Sequence, residues 1–204
     1  TEIFELIDKA NTDCATIAKD DSNLKNVNWN TCTSIDNDAF CGCDSLSTVS
    51  LPACTSVGNY AFYSCDSLQT IDLPACVSIG NSAFYDCDSL TTVNLPVCVN
   101  IGNESFLSCD SLSSLTLPAC TEIGDDAFAF CDSSTTVDLP SCTSIGNGAF
   151  WGCSSLESVS LPMCTNIGYK TFTYCGSLQS IDLPVCTTVG RGVFQNCKSL
   201  ASID

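Results

Sequence analysis

The chain has 204 residues, of which 45% are apolar and 14% charged, and 23 acidic against 6 basic side chains give a formal net charge of -17. That length supports a sizeable core in one unit, and the acidic balance argues against direct contact with nucleic acid or an anionic membrane surface, both of which need a basic footprint. No apolar run reaches membrane-spanning length, so direct membrane insertion is not expected.

The opening Thr1 and Glu2 show neither an initiator methionine nor a basic-then-apolar leader, which reads as a trimmed or excerpted chain. Ile3, Phe4, Leu6, Ile7 and Ala10 fit an amphipathic helical turn or two, expected to cover the end of the first repeating coil. Leu24, Val27 and Trp29 then begin a strand pattern that recurs to the end. Cysteine falls every 11 residues from Cys32 to Cys197, and alternate teeth of that comb share their surroundings, so the true period is 22 residues. A period in this range signals stacked coils, each burying its apolar edge against its neighbours.

One unit runs from Leu68 to Ser89. Leu68, Ile71 and Leu73 suit a short strand with one face buried, and Pro74 ends it because proline cannot donate to a continuing ladder. Ile79 and Gly80 read as a tight corner in which glycine takes a positive backbone angle. Asn81 then caps a single helical turn from Ser82 to Asp86, which points Ala83 and Phe84 inward. Asp88 and Ser89 turn the chain back. Strand starts at Leu24, Leu46, Leu68, Leu90, Leu112, Ser134, Leu156, Leu178 and Leu200 predict nine parallel strands, one per coil. Phe40 to Phe194 form a matching core column, and Ser134 predicts a local packing defect or solvated notch.

These units specify an α/β solenoid with parallel strands on one face and short helical or 3-10 turns on the other. Residues 1–23 form an N-terminal cap or divergent first coil; residues 24–204 form the solenoid, about eight 22-residue coils plus a truncated ninth strand. Because Leu200 to Asp204 stop inside a strand pattern, continuation of the natural protein is expected.

The cysteines read as small core residues whose thiols meet turn carbonyls. Bridges between successive coils are compatible with strand spacing, but each thiol would be equally near two neighbours, so pairing is poorly specified. The thiols lie along an axis rather than converging, and the chain has no histidine, so no metal site and no cofactor is expected. A catalytic thiol would lack an imidazole to activate it, so no enzyme is expected. Cys14 and Cys41 lie outside the comb and are the thiols most exposed to reaction by this reading. Asp44, Asp66, Asp88, Asp110 and Asp132 form an acidic column that turn capping explains, with calcium as the chemical alternative. Tyr63, Tyr85, Leu107 and Trp151 form a discontinuous aromatic stripe that reads first as packing over the phenylalanines. The outward strand positions are rich in serine and threonine and contain no aromatic cluster of the kind that centres protein interfaces.

The frame Leu68-x-x-Ile71-x-Leu73-x-x-Cys76, continued by Ile79-Gly80-x-x-Ala83-Phe84-x-x-Cys87-x-x-Leu90, resembles the treponemal, or BspA-like, leucine-rich repeat family over about residues 24–204. Family units are commonly one residue longer; the shortening here falls near Pro74 to Cys76. The resemblance implies a leucine-rich repeat solenoid, an extracellular or cell-surface location, and a non-enzymatic module that binds an unidentified protein or glycan, some members being similar to adhesins. A structural spacer or stalk within a longer surface protein is the alternative. By the same analogy, the strand-face site is expected at Thr70, Asp72, Thr92, Asn94, Thr116, Thr136 and Asp138.

Overall fold

The computed structural model describes residues 5–7 and 19–203. Each 22-residue unit closes into a coil with three hydrogen-bonded sides. The first side is a three-residue strand such as Thr70–Asp72, in which Ile71 points into the core and its neighbours point outward. Equivalent strands run from Asn26–Asn28 to Ser180–Asp182, with Ser202–Ile203 last, all parallel and each paired 22 residues from its neighbour where pairing is continuous. Glu5–Ile7 is also a strand, parallel to Asn26–Asn28, where Leu6 and Ile7 had suggested helix; Ile3, Phe4 and Ala10 lie outside the described residues. Most of the proposed cap, residues 1–23, lies outside them too.

The second side corrects the reading of Ile79 and Gly80 as a corner. Ser78–Ile79 is a two-residue strand, and its equivalents from Ser34–Ile35 to Thr188–Val189 form an unbroken eight-stranded parallel sheet. Each coil therefore carries two strands rather than one. Gly80 is required for a different reason than a positive angle: a Cβ there would lie 2.6 Å from the Gly58 carbonyl carbon of the coil below. Only a bare Cα permits that approach.

The third side overturns the helical expectation. Among the described residues there is no α-helix and no 3-10 helix, so the fold is an all-β solenoid. Ser82 and Asp86 are left-handed, at φ 51° and 55°, and the same two places are left-handed in coil after coil. The segment between them is a run of tight turns, closed by bonds such as Tyr85 N–H to Ser82 O, 3.3 Å. A helix would direct the amides back along its own axis. Here the Ser82, Phe84 and Asp86 amides instead donate across the coil boundary to Asn103, Ser105 and Leu107 carbonyls, at 2.8, 2.7 and 3.0 Å. Satisfying the next coil wins over satisfying the local turn.

Inside the three sides the core is columnar. Phe40 to Phe194 stack with ring centroids 5.0 to 5.9 Å apart and nearly parallel planes; such pairs contribute about 0.5–1.5 kcal/mol each beyond burial. Ser134, in the leucine column, is itself buried rather than part of a solvated notch.

The three-residue strands do not form one continuous sheet. They divide into two five-stranded sheets, with the break between Thr92–Asn94 and Ser114–Thr116. Leu73 N–H reaches Asn94 O at 3.2 Å and Leu117 N–H reaches Asp138 O at 3.3 Å; among the described residues no such bond joins Leu95 to Thr116 at the break, nor Leu161 to Asp182 within the second sheet. Val93, at the strand centre beside the break, is only partly buried. The second side continues through this point, with Asn100–Ile101 paired to Glu122–Ile123.

Candidate functional site

The strand side carries the seven residues expected to bind. Thr70 lies opposite Thr92 and Asp72 opposite Asn94; Asn94 Nδ2 donates to Asp72 Oδ1 at 2.7 Å. Thr116 lies opposite Asp138, and Thr136 opposite Ser114. The structure thus brings together Thr70, Asp72, Thr92 and Asn94 in one sheet, and Thr116, Thr136 and Asp138 in the other, with the break between the groups. All are exposed except Asp72, which is half-buried. Among the described residues, the side chains of Thr70, Thr92, Thr116, Thr136 and Asp138 make no intramolecular hydrogen bond, so their polar atoms face solvent. Elsewhere on this side some hydroxyls are already used: Thr91 Oγ1 donates to Gln69 O at 3.0 Å and Ser47 Oγ to Lys25 O at 3.0 Å.

The two cysteine columns behave as core groups. Cys54 and Cys76 donate through Sγ to Ser56 O and Ser78 O, at 3.2 and 3.3 Å. In the other column Cys87 reaches Phe62 O and Cys109 reaches Phe84 O, both at 3.1 Å. Sixteen described cysteines are free thiols, while Cys32 is held in a disulfide. Burial raises the fully buried thiols above their ordinary range: Cys153 is pushed up to about 12, and Cys109 and Cys131 are well above the usual value. A thiol so held is not a nucleophile at neutral pH. Cys41 is half-buried and also raised, mainly by burial; Cys14 lies outside the described residues.

Among the described residues no group of three histidine, cysteine or acidic side chains converges as metal ligands would. Asp44, Asp66, Asp88, Asp110 and Asp132 are exposed and strung along the axis. Burial first, then the neighbouring Asp44 and Asp88 charges, raise the Asp66 carboxyl.

Three features revise or go beyond the sequence reading. Asn37, Asn59, Asn81, Asn103, Asp125 and Asn147 form a ladder in which each side-chain oxygen accepts the backbone N–H one coil on, at 2.7 to 2.9 Å. Their spacing of 22 was the signal, and it pointed to a bond between coils rather than to a cap within one. Ser105 and Thr171 replace the buried alanine and satisfy their hydroxyls on glycine carbonyls such as Gly102 O and Gly168 O, at 2.7 and 2.9 Å. Asn103-Glu104-Ser105 matches a glycosylation sequon, and its serine lies wholly inside the fold. Finally, the aromatic stripe divides. Tyr63 and Tyr85 stack at 4.9 Å and are half-buried, whereas Trp151 belongs to a separate group with Phe130, Tyr169 and Lys170.

Among the described residues no helix is long and apolar enough to cross a membrane. The family model for the BspA type leucine rich repeat region matches residues 18–131 and 77–201. A leucine rich repeat protein of T. pallidum has a similar solved structure, at 31% identity and TM-score 0.73, with 82% of each chain covered. A leucine rich cell surface protein of Faecalibacterium prausnitzii is similar at 31% identity and TM-score 0.68, over 78% of this chain and 44% of that one, so this chain spans less than half of that protein's length. No curated protein matches it. Repeat length, columnar core, parallel strands and these matches lead to one conclusion: the chain belongs to the BspA-type leucine-rich repeat family.

Proposed function

We propose that the chain is a non-enzymatic binding module of a secreted or cell-surface protein, recognising protein or glycan through its strand side. The observation that supports this reading most is the rank of solvent-facing polar groups at Thr70, Thr92, Thr116, Thr136 and Asp138, exposed in register and unused by the fold. Hydroxyl and carboxylate groups at fixed coil spacing offer shallow, polar recognition rather than a pocket. The likeness to a cell surface protein of F. prausnitzii supports the location.

The test measures binding of the purified chain to immobilised glycans and matrix proteins, then repeats it with Thr92→Lys and Thr136→Lys. Both side chains are exposed, so the circular dichroism spectrum and melting temperature should stay unchanged. A partner that binds through this side should lose about tenfold or more in affinity, equivalent to about 1.4 kcal/mol. A genuine partner whose affinity is unmoved by both substitutions would remove the site assignment. A chain that binds nothing in the panel would favour the structural spacer.

A further inference from the structure

Among the described residues, the large exposed rings, Tyr60 aside, gather on the turn side of three successive coils. Phe130, Tyr169 and Tyr174 are 43%, 46% and 53% exposed, and Trp151 lies in the coil between them. Trp151 packs against Phe130 at 5.8 Å with a tilt of 36°. Lys170 Nζ sits over both the Trp151 and the Tyr169 rings, 5.5 and 5.0 Å from their centroids. Among the described residues it forms no ion pair, although the chain as a whole is strongly acidic.

The backbone makes this grouping more pointed. Phe130, Lys170 and Tyr174 occupy left-handed positions, at φ 60°, 57° and 65°. Sister coils place Gly42, Ser64, Asp86, Ser108, Gly152 or Asn196 at the places equivalent to Phe130 and Tyr174. Bulky side chains are disfavoured in that region, so rings at Phe130 and Tyr174 depart from the small or polar residues that most coils place there. Gly152, directly between Phe130 and Tyr174 in the column, leaves room for the Phe130 ring: a Cβ there would lie 2.7 Å from Phe130 Cδ1. The same coils also break the asparagine ladder, Tyr169 standing where Asn147 and Asn103 stand before it.

We propose that Phe130, Trp151, Tyr169, Lys170 and Tyr174 form a second binding site, on the turn side, for a carboxylate-bearing saccharide. The electron-rich ring faces attract the C–H faces of a pyranose, and the ammonium held over Trp151 and Tyr169 complements its carboxylate. A protein partner fits the patch less well. A standard interface buries about 800 Å² on each side, whereas these residues span three coils at roughly 4.8 Å per coil. The surrounding negative charge also repels an acidic protein more than a short acidic sugar.

The test titrates the isotope-labelled chain with a hyaluronan tetrasaccharide, using cellotetraose and hexaglutamate as the neutral and peptide comparators. Shifts should centre on the Trp151 indole and the Tyr169, Lys170 and Tyr174 amides, with cellotetraose and hexaglutamate each about tenfold weaker. The variants Trp151→Leu, Lys170→Glu and Tyr174→Asn import the residues of sister coils at Leu107, Glu104 and Asn196, so the fold has a precedent for each. Lys170→Glu should weaken hyaluronan binding about tenfold or more while leaving cellotetraose binding unchanged; the two ring variants should weaken both. Thr92→Lys and Thr136→Lys should change nothing here, which separates this site from the strand-side reading. Hexaglutamate binding as tightly as hyaluronan, shifts centred away from these residues, or no binding of hyaluronan would each overturn the proposal.

Discussion

The side-chain oxygen of Asn81 accepts the backbone N–H of Asn103 at 2.9 Å, joining two coils through an atom that neither strand uses. The donor lies beside the glycine column, where Gly102 approaches the Asn81 and Gly80 backbone closely. Asn81→Ala therefore leaves the Asn103 amide without its partner, and a loss of about 1 kcal/mol is expected, water offsetting the rest at this exposed edge. Asn81→Asp keeps the acceptor, as Asp125 does toward Asn147 at 2.7 Å, and should be close to neutral. Urea unfolding with amide exchange at Asn103 checks both, since only the alanine variant should speed that amide.

The glycine column predicts a sharper contrast. At Gly102 a Cβ would meet the Asn81 amide nitrogen and the Gly80 carbonyl carbon, both at 2.8 Å, in the middle of the stack. Backbone atoms on both counts cannot rotate away, so Gly102→Ala is expected to cost at least about 2–3 kcal/mol, in the range of other backbone-incompatible substitutions. Gly176 has nothing within 4 Å of such a Cβ and no positive φ. Gly176→Ala should be neutral or stabilise by about 0.4–1 kcal/mol through the unfolded state. Thermal unfolding of the two variants side by side decides the matter; equal melting temperatures would contradict the close-approach account.

Those same columns explain what the sequence could and could not convey. Stacking puts equivalent residues over one another, so Phe84, Cys87 and Leu90 announce the core by recurrence alone. The direction of an amide is not recurrent information. Asn81 to Tyr85 has a composition compatible with one helical turn, and only the next coil's carbonyls at Asn103 and Ser105 decide otherwise. Ser78–Ile79 escaped notice as a strand because two residues are too few to show alternation. At the candidate site, the outward columns through Thr70 and Asp72 could be read from the period. The break beyond Asn94 could not, since Leu112 and Leu115 keep the frame intact across it. Of the cluster at Lys170, Trp151 belonged to the aromatic stripe read from the period, while Tyr169 and Lys170 stood out only as departures from their columns.

Buried thiols make the stability fall in alkali. Desolvation by burial raises the Cys76, Cys120, Cys142 and Cys153 thiols to about 12 in the folded chain, against about 8.5 for an exposed thiol. A raised folded-state value means that stability is fully present below the unfolded value and is lost as pH rises toward the folded one. Between about pH 8.5 and 12 each such thiol stays protonated when folded but ionises when unfolded, removing about 1.4 kcal/mol per pH unit. Urea midpoints should therefore be flat from about pH 6 to 8 and drop steeply above about pH 9. Under reducing conditions near pH 8, a thiol reagent should label the native chain rapidly only at the partly exposed Cys41, Cys186 and Cys197 among the described free thiols. Fast labelling of Cys87 or Cys153 in the folded chain would contradict the packed-column account.

The break in the strand side bears on how that side can bind. Leu73 and Leu117 each donate to the next coil, whereas among the described residues Leu95 does not, although Leu95 is as buried as they are. An amide without a cross-coil bond opens without breaking the ladder, so Leu95 should exchange about tenfold or more faster than Leu73 and Leu117, a difference of about 1.4 kcal/mol in local opening. The two-residue strands Asn100–Ile101 and Glu122–Ile123 remain paired behind it, so the opening should stay confined to the strand side and leave the Ile101 and Ile123 amides slow. A partner engaging both groups, Thr92 and Asn94 on one side and Thr116 and Thr136 on the other, would hold the two sheets together and slow Leu95. A partner confined to one sheet would leave it fast. Equal exchange at Leu73, Leu95 and Leu117 in the free chain would contradict the missing cross-coil bond at Leu95.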